Sequence, residues 1–385
     1  MPAPSGSPDA VVDMHVHVGL CGDRYPTWGR FSDWYRSQPA YHVFLHYARL
    51  EPGEVSDAAL IGATRRVIEG AEHVRHVVCL ALDPIYELDA VTGEGRRRED
   101  RSHVWVDNAY VVHLRELIGE RVLLGASVHP YAPDFKERVA EAVEQGAVLL
   151  KWLPSAQHID LAHERVAEAL TFLATARDGK PLPLLLHVGV EYAIPPAERR
   201  RKAADFLSWG PFDRVLGWTQ GWRKPDLPRI HANLRAGLDA GGVLILAHCG
   251  LPYFGRALGL TAVEHDDFAV VRRYLRDYPA GGSRKGRCFA DVSACATPFR
   301  ARYFDRLRAL PAESLLFGSD YPTPIFELSA GAKEVWEDFK AVGRGDLSRA
   351  FLPEDNLLDV NLRELRRAFP GHPMFTRFAR LLDAL

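Results

Sequence analysis

Apolar and polar positions alternate along this chain on two length scales. Short apolar runs rich in Val, Ile and Leu alternate with longer segments in which apolar residues recur at helical spacing, and this order predicts parallel strands joined by helices. Eight apolar runs predict strands. The first two cover residues 10–18 and 75–83, the third ends at His129 and the fourth contains Lys151. The fifth ends at His187, the sixth ends at His248, the seventh surrounds Asp291 and the eighth ends at Asp320. Helices are predicted over residues 57–69, 107–118, 134–145, 162–176, 229–240, 268–277, 299–309, 333–340 and 360–368.

The predicted strands are apolar on both faces. Strands that are buried on both sides lose polar alternation, so the pattern favours a closed α/β barrel over an open doubly wound sheet. We therefore predict a (β/α)8 TIM barrel that forms a single domain over residues 1–385, with long loops after strands 1, 2 and 5 and with C-terminal helices. In such barrels the active site lies at the C-terminal ends of the strands.

Three connections are longer than barrel closure needs, and they cover residues 20–55, 84–106 and 191–228. All three follow strands and so belong to the active-site face. The first is crowded with aromatic residues, among them Trp28, and the third contains Arg223. Long aromatic loops in this position are typical of lids and substrate walls, and equally of homodimer contacts. Residues 1–9 are expected to be flexible.

Composition narrows the class of partner. The net charge is −2, so neither nucleic acid nor an anionic membrane is expected as a partner. The five cysteines include no C-x-x-C pair, which argues against a disulfide framework and fits a reducing cytoplasm. The polar start of the chain lacks the regions of a signal peptide, and no apolar run approaches membrane-spanning length. We expect a cytoplasmic protein with a small-molecule substrate.

The first strand carries the strongest chemical signal. His15 and His17 are separated by one residue, so in a strand both imidazoles point to the same face. His187 and Asp320 end later strands and supply a third imidazole and a carboxylate, and the eighth strand of a closed barrel lies beside the first. This donor set suits one divalent ion, most simply Zn²⁺, although Mn²⁺ or Fe²⁺ would accept the same ligands.

The strand-end motifs together resemble the amidohydrolase superfamily. They are DMHVHVG, KWLPSAQ, LLLHVG, ILAHCG, DVSA and FGSDYP, in that order along the chain, and the later NLLDVNLRELRRAF resembles the closing helix of that family. The nearest branch is the "amidohydrolase 2" group, which also contains aminocarboxymuconate semialdehyde decarboxylase. The resemblance implies that His15, His17 and His187 bind metal, that Asp320 is both ligand and proton shuttle, and that His248 polarises the substrate or steers water.

Lys151 has two interpretations. In binuclear members of that superfamily a lysine on strand four is carboxylated and bridges two metals, whereas mononuclear branches lack the bridge. A buried ammonium without a partner would be costly, so a substrate carboxylate, Asp83 or a carboxylated bridge is expected beside it. A second metal is expected only if Lys151 is carboxylated.

Five further residues are weaker candidates for substrate binding or for support of the ligands. Asp291 is expected to support other site residues, and the remaining four are Ser293, Gln157, Trp28 and Arg223. A basic residue aimed at the metal, such as Arg223 or Lys151, would favour an acidic substrate.

These observations lead to one principal functional hypothesis and two alternatives. The principal hypothesis is a metal-dependent hydrolase that uses activated water on a C–N or C–O bond of a small polar molecule. The first alternative is a non-oxidative, metal-dependent decarboxylase of an aromatic or unsaturated carboxylic acid. The second is a catalytically inactive metal-binding barrel.

Overall fold

A computed structural model describes residues 9–253, 264–281, 285–297, 299–323, 337, 340–341 and 352–385 of this chain. Its described strands are β1 Val12–His17, β2 Gly29–Phe31, β3 His76–Leu80, β4 Ile85–Leu88, β5 Gly95–Arg98, β6 Val104–Val106, β7 Val122–Ala126, β8 Ala147–Trp152, β9 Leu184–Leu186, β10 Val243–Leu246, β11 Arg287–Asp291 and β12 Leu315–Leu316. The described helices are α1 Asp33–Arg36, α2 Pro39–Tyr47, α3 Asp57–Glu69, α4 Asn108–Ile118, α5 Phe135–Glu144, α6 Pro154–Gln157, α7 Glu164–Leu173, α8 Pro211–Gln220, α9 Leu227–Asp239, α10 Phe268–Asp277, α11 Phe304–Arg308, α12 Leu357–Ala368 and α13 Met374–Ala384.

Eight parallel strands form the central sheet, in the order β1-β3-β7-β8-β9-β10-β11-β12. The two edges meet beyond the end of β12, where the His17 amide donates to the Tyr321 carbonyl at 2.7 Å and the Asp320 amide donates to the His15 carbonyl at 2.8 Å. These hydrogen bonds close the sheet into a barrel, which confirms the predicted (β/α)8 TIM fold. They also place Asp320 directly beside the first strand.

The barrel helices follow the predicted helical segments with small shifts at their ends. α3 and α10 have the predicted bounds, and the Asp107 side chain caps α4 by accepting from the Ala109 amide. Only the short helix α11 and a preceding 3₁₀ turn at Ala301–Tyr303 occupy the segment predicted at 299–309. The helix predicted at 333–340 lies mostly outside the described residues.

The three long connections contain regular structure of their own. The first carries α1, α2 and strand β2, which pairs with β6 from the second connection, and the second also contains the antiparallel hairpin of β4 and β5. The third carries α8. Since β2 and β6 are hydrogen-bonded, the first two connections form one structured layer over the mouth of the barrel.

The opposite end of the barrel is closed by the last helix. Phe378, Leu381 and Leu382 of α13 pack in one buried cluster with Met14 and Leu80 from the barrel strands. Apolar burial at this end supports the strands whose other ends carry the polar residues.

Candidate metal centre

Four residues at the mouth of the barrel adopt left-handed backbone conformations. His248 (φ 56°) and Cys249 (φ 52°) follow β10, Ala294 (φ 52°) follows β11, and Asp320 (φ 67°) follows β12. This region of backbone space is unfavourable for residues with a Cβ atom, and such residues cluster at functional sites where the surrounding structure holds them. The observation identifies the mouth as a candidate site independently of any motif.

His15, His17 and Asp320 converge in this mouth. The Nε2 atoms of the two histidines are 3.2 Å apart, and Asp320 Oδ1 lies 3.3 Å from the first and 3.2 Å from the second. One ligand atom from each residue thus lies within 4.8 Å of the others. This is the spacing of groups that share one ion, since metal–ligand distances are near 2 Å.

The proton positions on His15 favour cation binding. Its Nδ1 lies 2.9 Å from Asp291 Oδ2, so Nδ1 carries the hydrogen and Nε2 presents a lone pair to His17 and Asp320. Burial, followed by the nearby Lys151, lowers the pKa of His15 to about 4. The lone pairs and carboxylate oxygens that face one another fit a divalent cation, and the donors match the predicted ligand types.

Asp291 is the hydrogen-bonding hub behind the ligands. Besides His15, it accepts from the His248 amide at 2.9 Å and from the Ser293 amide and hydroxyl. Burial opposes its ionisation, but His15 and His248 together hold the pKa of Asp291 well below its usual range. This carboxylate therefore fixes one imidazole and the backbone of the next strand end.

Ser293 connects Asp291 to His248. Its hydroxyl donates to Asp291 Oδ1, so the hydroxyl oxygen accepts from His248 Nδ1 at 2.9 Å, and the Ser293 carbonyl lies 3.2 Å from the same nitrogen. With Nδ1 protonated, His248 presents Nε2 as an acceptor. Both Asp291 and Ser293 therefore occupy supporting positions around the histidines.

Lys151 lies inside the site. Its Nζ is 3.2 Å from His15 Nε2, and the side chain is 1 % exposed. Burial lowers the pKa of Lys151, and Asp320 is the foremost group that opposes this shift. The Asp83 carboxylate, one of the partners expected from the sequence, instead forms an ion pair with Arg138 at 2.8 Å.

His187 borders the same cavity but contacts a different carboxylate. Its ring centroid is 5.2 Å from that of His248, while its Nε2 lies 3.2 Å from Glu191 Oε2 and its Nδ1 lies 3.6 Å from Asp205 Oδ1. His187 therefore lies near the cluster of His15, His17 and Asp320, but it is not one of the three residues whose ligand atoms lie closest together. Sequence reasoning missed Asp205, which has no recognisable motif around it.

A cavity of about 150 Å³ opens onto these residues. His17, Lys151, His187, His248 and Asp320 line its inner end. Its walls are mainly apolar and aromatic and come from all three long connections, with Phe31, Tyr35, Phe44, Val104, Val106 and Ile194 among them. Such a cavity suits a small molecule with an apolar body, in contrast to the small polar molecule expected from the sequence.

Three of the weaker candidates lie away from this cavity. The side-chain amide of Gln157 accepts a hydrogen bond from the Leu153 backbone N–H at 2.7 Å and donates one to the Asp83 carbonyl at 3.0 Å. Trp28 stacks on Tyr25 at 4.6 Å, and Arg223 lines a separate cavity of about 440 Å³. The first holds strand ends together, the second is half-buried against the hydrophobic core, and Arg223 is exposed on the third connection.

The cavity residues that the sequence analysis missed include Tyr253 and Arg300. Tyr253 follows the His248 turn, and Arg300 follows the strand that carries Asp291. The signal that could have found them is their position shortly after barrel strands, since these segments build the active-site face.

No family model matches this chain, and no curated protein is significantly similar to it. Solved structures with a similar course of the chain include an amidohydrolase from Burkholderia multivorans with bound HEPES (16% identity, 97% of this chain and 99% of that chain, TM-score 0.45). Another is the IDCase of Metarhizium anisopliae (14% identity, 97% of each chain, TM-score 0.44). A third is the N-isopropylammelide isopropylaminohydrolase of Burkholderia multivorans (16% identity, 97% and 82%, TM-score 0.36). Likeness at this level carries no argument about family, substrate or reaction.

No described helix is long and apolar enough to cross a bilayer.

Proposed function

We propose that this protein is a metal-dependent hydrolase of the amidohydrolase type, acting on a C–N or C–O bond of a small molecule. The observation that carries the proposal is the convergence of His15 Nε2, His17 Nε2 and Asp320 Oδ1 within 3.3 Å of one another. These three residues would hold a divalent ion, with His187 as the further ligand that the family resemblance implies. Zinc suits this donor set best.

An ion in this position would lower the pKa of water toward neutrality and polarise a substrate carbonyl. The protein groups supply the proton transfers. Asp320 Oδ1 faces the two imidazoles, which leaves Oδ2 to accept the proton of the attacking water and to return it to the leaving group. Burial opposes ionisation of this carboxyl, but His248 and His15 hold the pKa of Asp320 well below its usual range, so it begins the cycle as a base.

His248 is placed to orient the water. Because its Nδ1 hydrogen is directed to Ser293, its Nε2 is an acceptor for a hydrogen of the water. If Lys151 were carboxylated, it would help to hold a second ion, as the resemblance implies for the binuclear members of the superfamily. Its Nζ lies 3.2 Å from His15 Nε2, one of the proposed metal ligands.

Decarboxylation of an aromatic or unsaturated acid is the second candidate function. It is favoured by the mainly apolar cavity wall and by the basic side chain of Lys151, which lines the cavity beside the proposed metal ligands. In this reaction Asp320 or His248 would deliver a proton to carbon, and no water would be consumed.

The two functions are separated by the fate of solvent oxygen. We would incubate the zinc-loaded protein in H₂¹⁸O with a panel of aromatic esters, amides and hydroxybenzoic acids, and follow products by mass spectrometry. Hydrolysis predicts one ¹⁸O in the acid product and loss of turnover after chelation. Release of CO₂ from the acids without hydrolysis of any ester or amide would contradict the proposal and establish the second candidate.

A further inference from the structure

The cavity contains a buried cation that the proposed hydrolysis does not use. Arg300 is 5 % exposed and lines the cavity together with Asp320 and His248. Among the described residues its guanidinium donates to backbone carbonyls alone, from Nε to Pro252 at 3.2 Å, from Nη1 to Ala294 at 3.3 Å and from Nη2 to Leu251 at 3.1 Å. Within the described part of the chain, no carboxylate forms an ion pair with it.

The hydrogen-bond count leaves donors for a ligand. A guanidinium has five N–H groups, and the three carbonyls account for one on each nitrogen. One N–H therefore remains on each of the two terminal nitrogens, and an Arg fork with two such donors matches the two oxygens of a carboxylate.

The position of the fork is fixed before any ligand arrives. The three carbonyls belong to the segments that follow β10 and β11, and the guanidinium carbon lies 4.6 Å from the centroid of the Tyr253 ring. A buried charge without an opposite charge is unfavourable. Holding the Arg300 guanidinium at the cavity wall therefore reduces the stability of the folded protein. Such pre-organisation lowers the entropy that a ligand loses on binding.

We propose that Arg300 binds a carboxylate group of the substrate, and that the substrate is a small carboxylic acid with an apolar or aromatic body. The inference rests on the proposed function, whose substrate class it specifies. The Arg300 guanidinium matches one carboxylate, and the apolar wall provided by residues such as Phe31 and Phe44 matches the body. Asp320 then acts on a second, hydrolysable group of the same molecule.

The bound carboxylate is not the reacting group. A charge-assisted pair with Arg300 stabilises the ionised acid, and conversion to neutral CO₂ would forfeit that interaction in the transition state. Arg300 is accordingly a specificity-determining residue of the hydrolase and would hinder the loss of the carboxylate that it binds.

Benzoate and benzamide test this proposal without turnover. They have nearly the same shape and differ in charge. We expect the zinc-loaded protein to bind benzoate more tightly than benzamide in calorimetric titrations. Arg300→Gln should weaken benzoate more than about 30-fold, as expected for loss of a buried charge partner, and should leave benzamide nearly unchanged. Arg300→Lys should recover part of the loss. Arg306→Gln, which removes an exposed arginine paired with Asp266 at 2.8 Å, is the matched control and should bind both probes as the wild type does.

A second measurement protects the test against a variant that fails to fold. The same titrations on wild-type protein stripped of metal should retain the preference for benzoate, because Arg300 remains. If the preference for benzoate disappeared after chelation, the benzoate carboxylate would be bound by the metal ion rather than by Arg300, and the proposal would be overturned. Equal binding of benzoate by wild type and Arg300→Gln would overturn it as well. Failure of the hydrolysis assay with the benzoate preference intact would instead refute the proposed reaction alone.

Discussion

At the scale of single residues, the site depends on which ring nitrogen of each histidine carries a proton. Asp291 accepts a hydrogen bond from His15 Nδ1 at 2.9 Å, and the Ser293 hydroxyl accepts one from His248 Nδ1. Each imidazole therefore directs Nε2 into the mouth of the barrel. The His-x-His spacing predicted that His15 and His17 share a face, because alternate residues of a strand do so, and the contact with Asp291 adds which ring nitrogen of His15 faces the mouth.

The role of Arg300 could not be predicted in the same way. No motif surrounds it, and its carbonyl partners at Pro252 and Ala294 are brought together only by the folding of two separate segments. The same is true of Glu191, whose contact with His187 depends on the course of the third long connection. Local sequence patterns predict the polar residues at strand ends well, but they do not predict contacts between separate loops.

Asp320→Asn tests the proton transfers at this scale. The amide cannot accept a proton from water, so we expect turnover of a hydrolysed substrate to fall by about 10²–10⁴. The melting temperature should change by only a few degrees, because the amide preserves the shape of the side chain. Asp305→Asn, at a carboxylate whose side chain is 92 % exposed, is the control and should retain full activity. Turnover by Asp320→Asn at the wild-type rate would remove Asp320 from the mechanism.

At the scale of elements, the barrel strands were predictable and the long connections were not. An apolar run bounded by polar residues is a strong signal for a buried strand, and each predicted run contains a strand of the central sheet. Strand β2, in contrast, has three residues and forms because it pairs with β6 from a later connection. Pairing of such short strands depends on tertiary contacts that a sequence pattern does not contain.

His265 links two elements, α8 and the start of α10, and gives a pH-dependent test. Its Nδ1 lies 3.0 Å from Asp213 Oδ2 in α8, its Nε2 lies 2.7 Å from Asp267 Oδ2 at the start of α10, and its ring stacks on Phe206 at 3.5 Å. Burial alone would lower the pKa of His265, but the two carboxylates raise it to about 9 from an ordinary value of 6.5. The charged imidazole therefore binds these elements together.

A raised folded-state pKa stabilises the protein fully below the unfolded value and loses that effect as the pH passes the folded value. The stability of the wild type relative to His265→Asn should thus be greatest below pH 6.5 and decline toward pH 9. We expect a difference of about 1–3 kcal/mol in the free energy of unfolding at its maximum, measured by urea titration. His113→Asn serves as the control. A difference between wild type and His265→Asn that is independent of pH would contradict a charged His265.

At the scale of the whole molecule, the two ends of the barrel have different tasks. Polar side chains and left-handed backbone gather at the mouth, while α13 covers the opposite end with apolar side chains. Burial of that end stabilises strands whose unfavourable conformations at the mouth reduce stability. The amphipathic pattern predicted C-terminal helices on the barrel, and the structure specifies the end that α13 covers.

Phe378→Ala tests this division. Phe378 is 1 % exposed in the cluster that closes the barrel, so its truncation should lower the free energy of unfolding by about 3–5 kcal/mol. Leu117→Ala is the control, since Leu117 is 43 % exposed and its truncation should cost within about 0.5 kcal/mol. Denaturant titration measures both, and equal effects would contradict a structural role for α13.

The metal centre proposed on the first strand can be tested by measuring the metal content of each chain. We would purify wild type, His17→Ala, Lys151→Ala and the control His113→Ala without chelator and measure metals by elemental analysis. We predict about one divalent ion in the wild type and in His113→Ala, and loss of metal in His17→Ala. Two ions that fall on Lys151→Ala would add the carboxylated bridge to the same centre. A folded wild type without metal, or a His17→Ala variant with wild-type metal content, would contradict the proposed site.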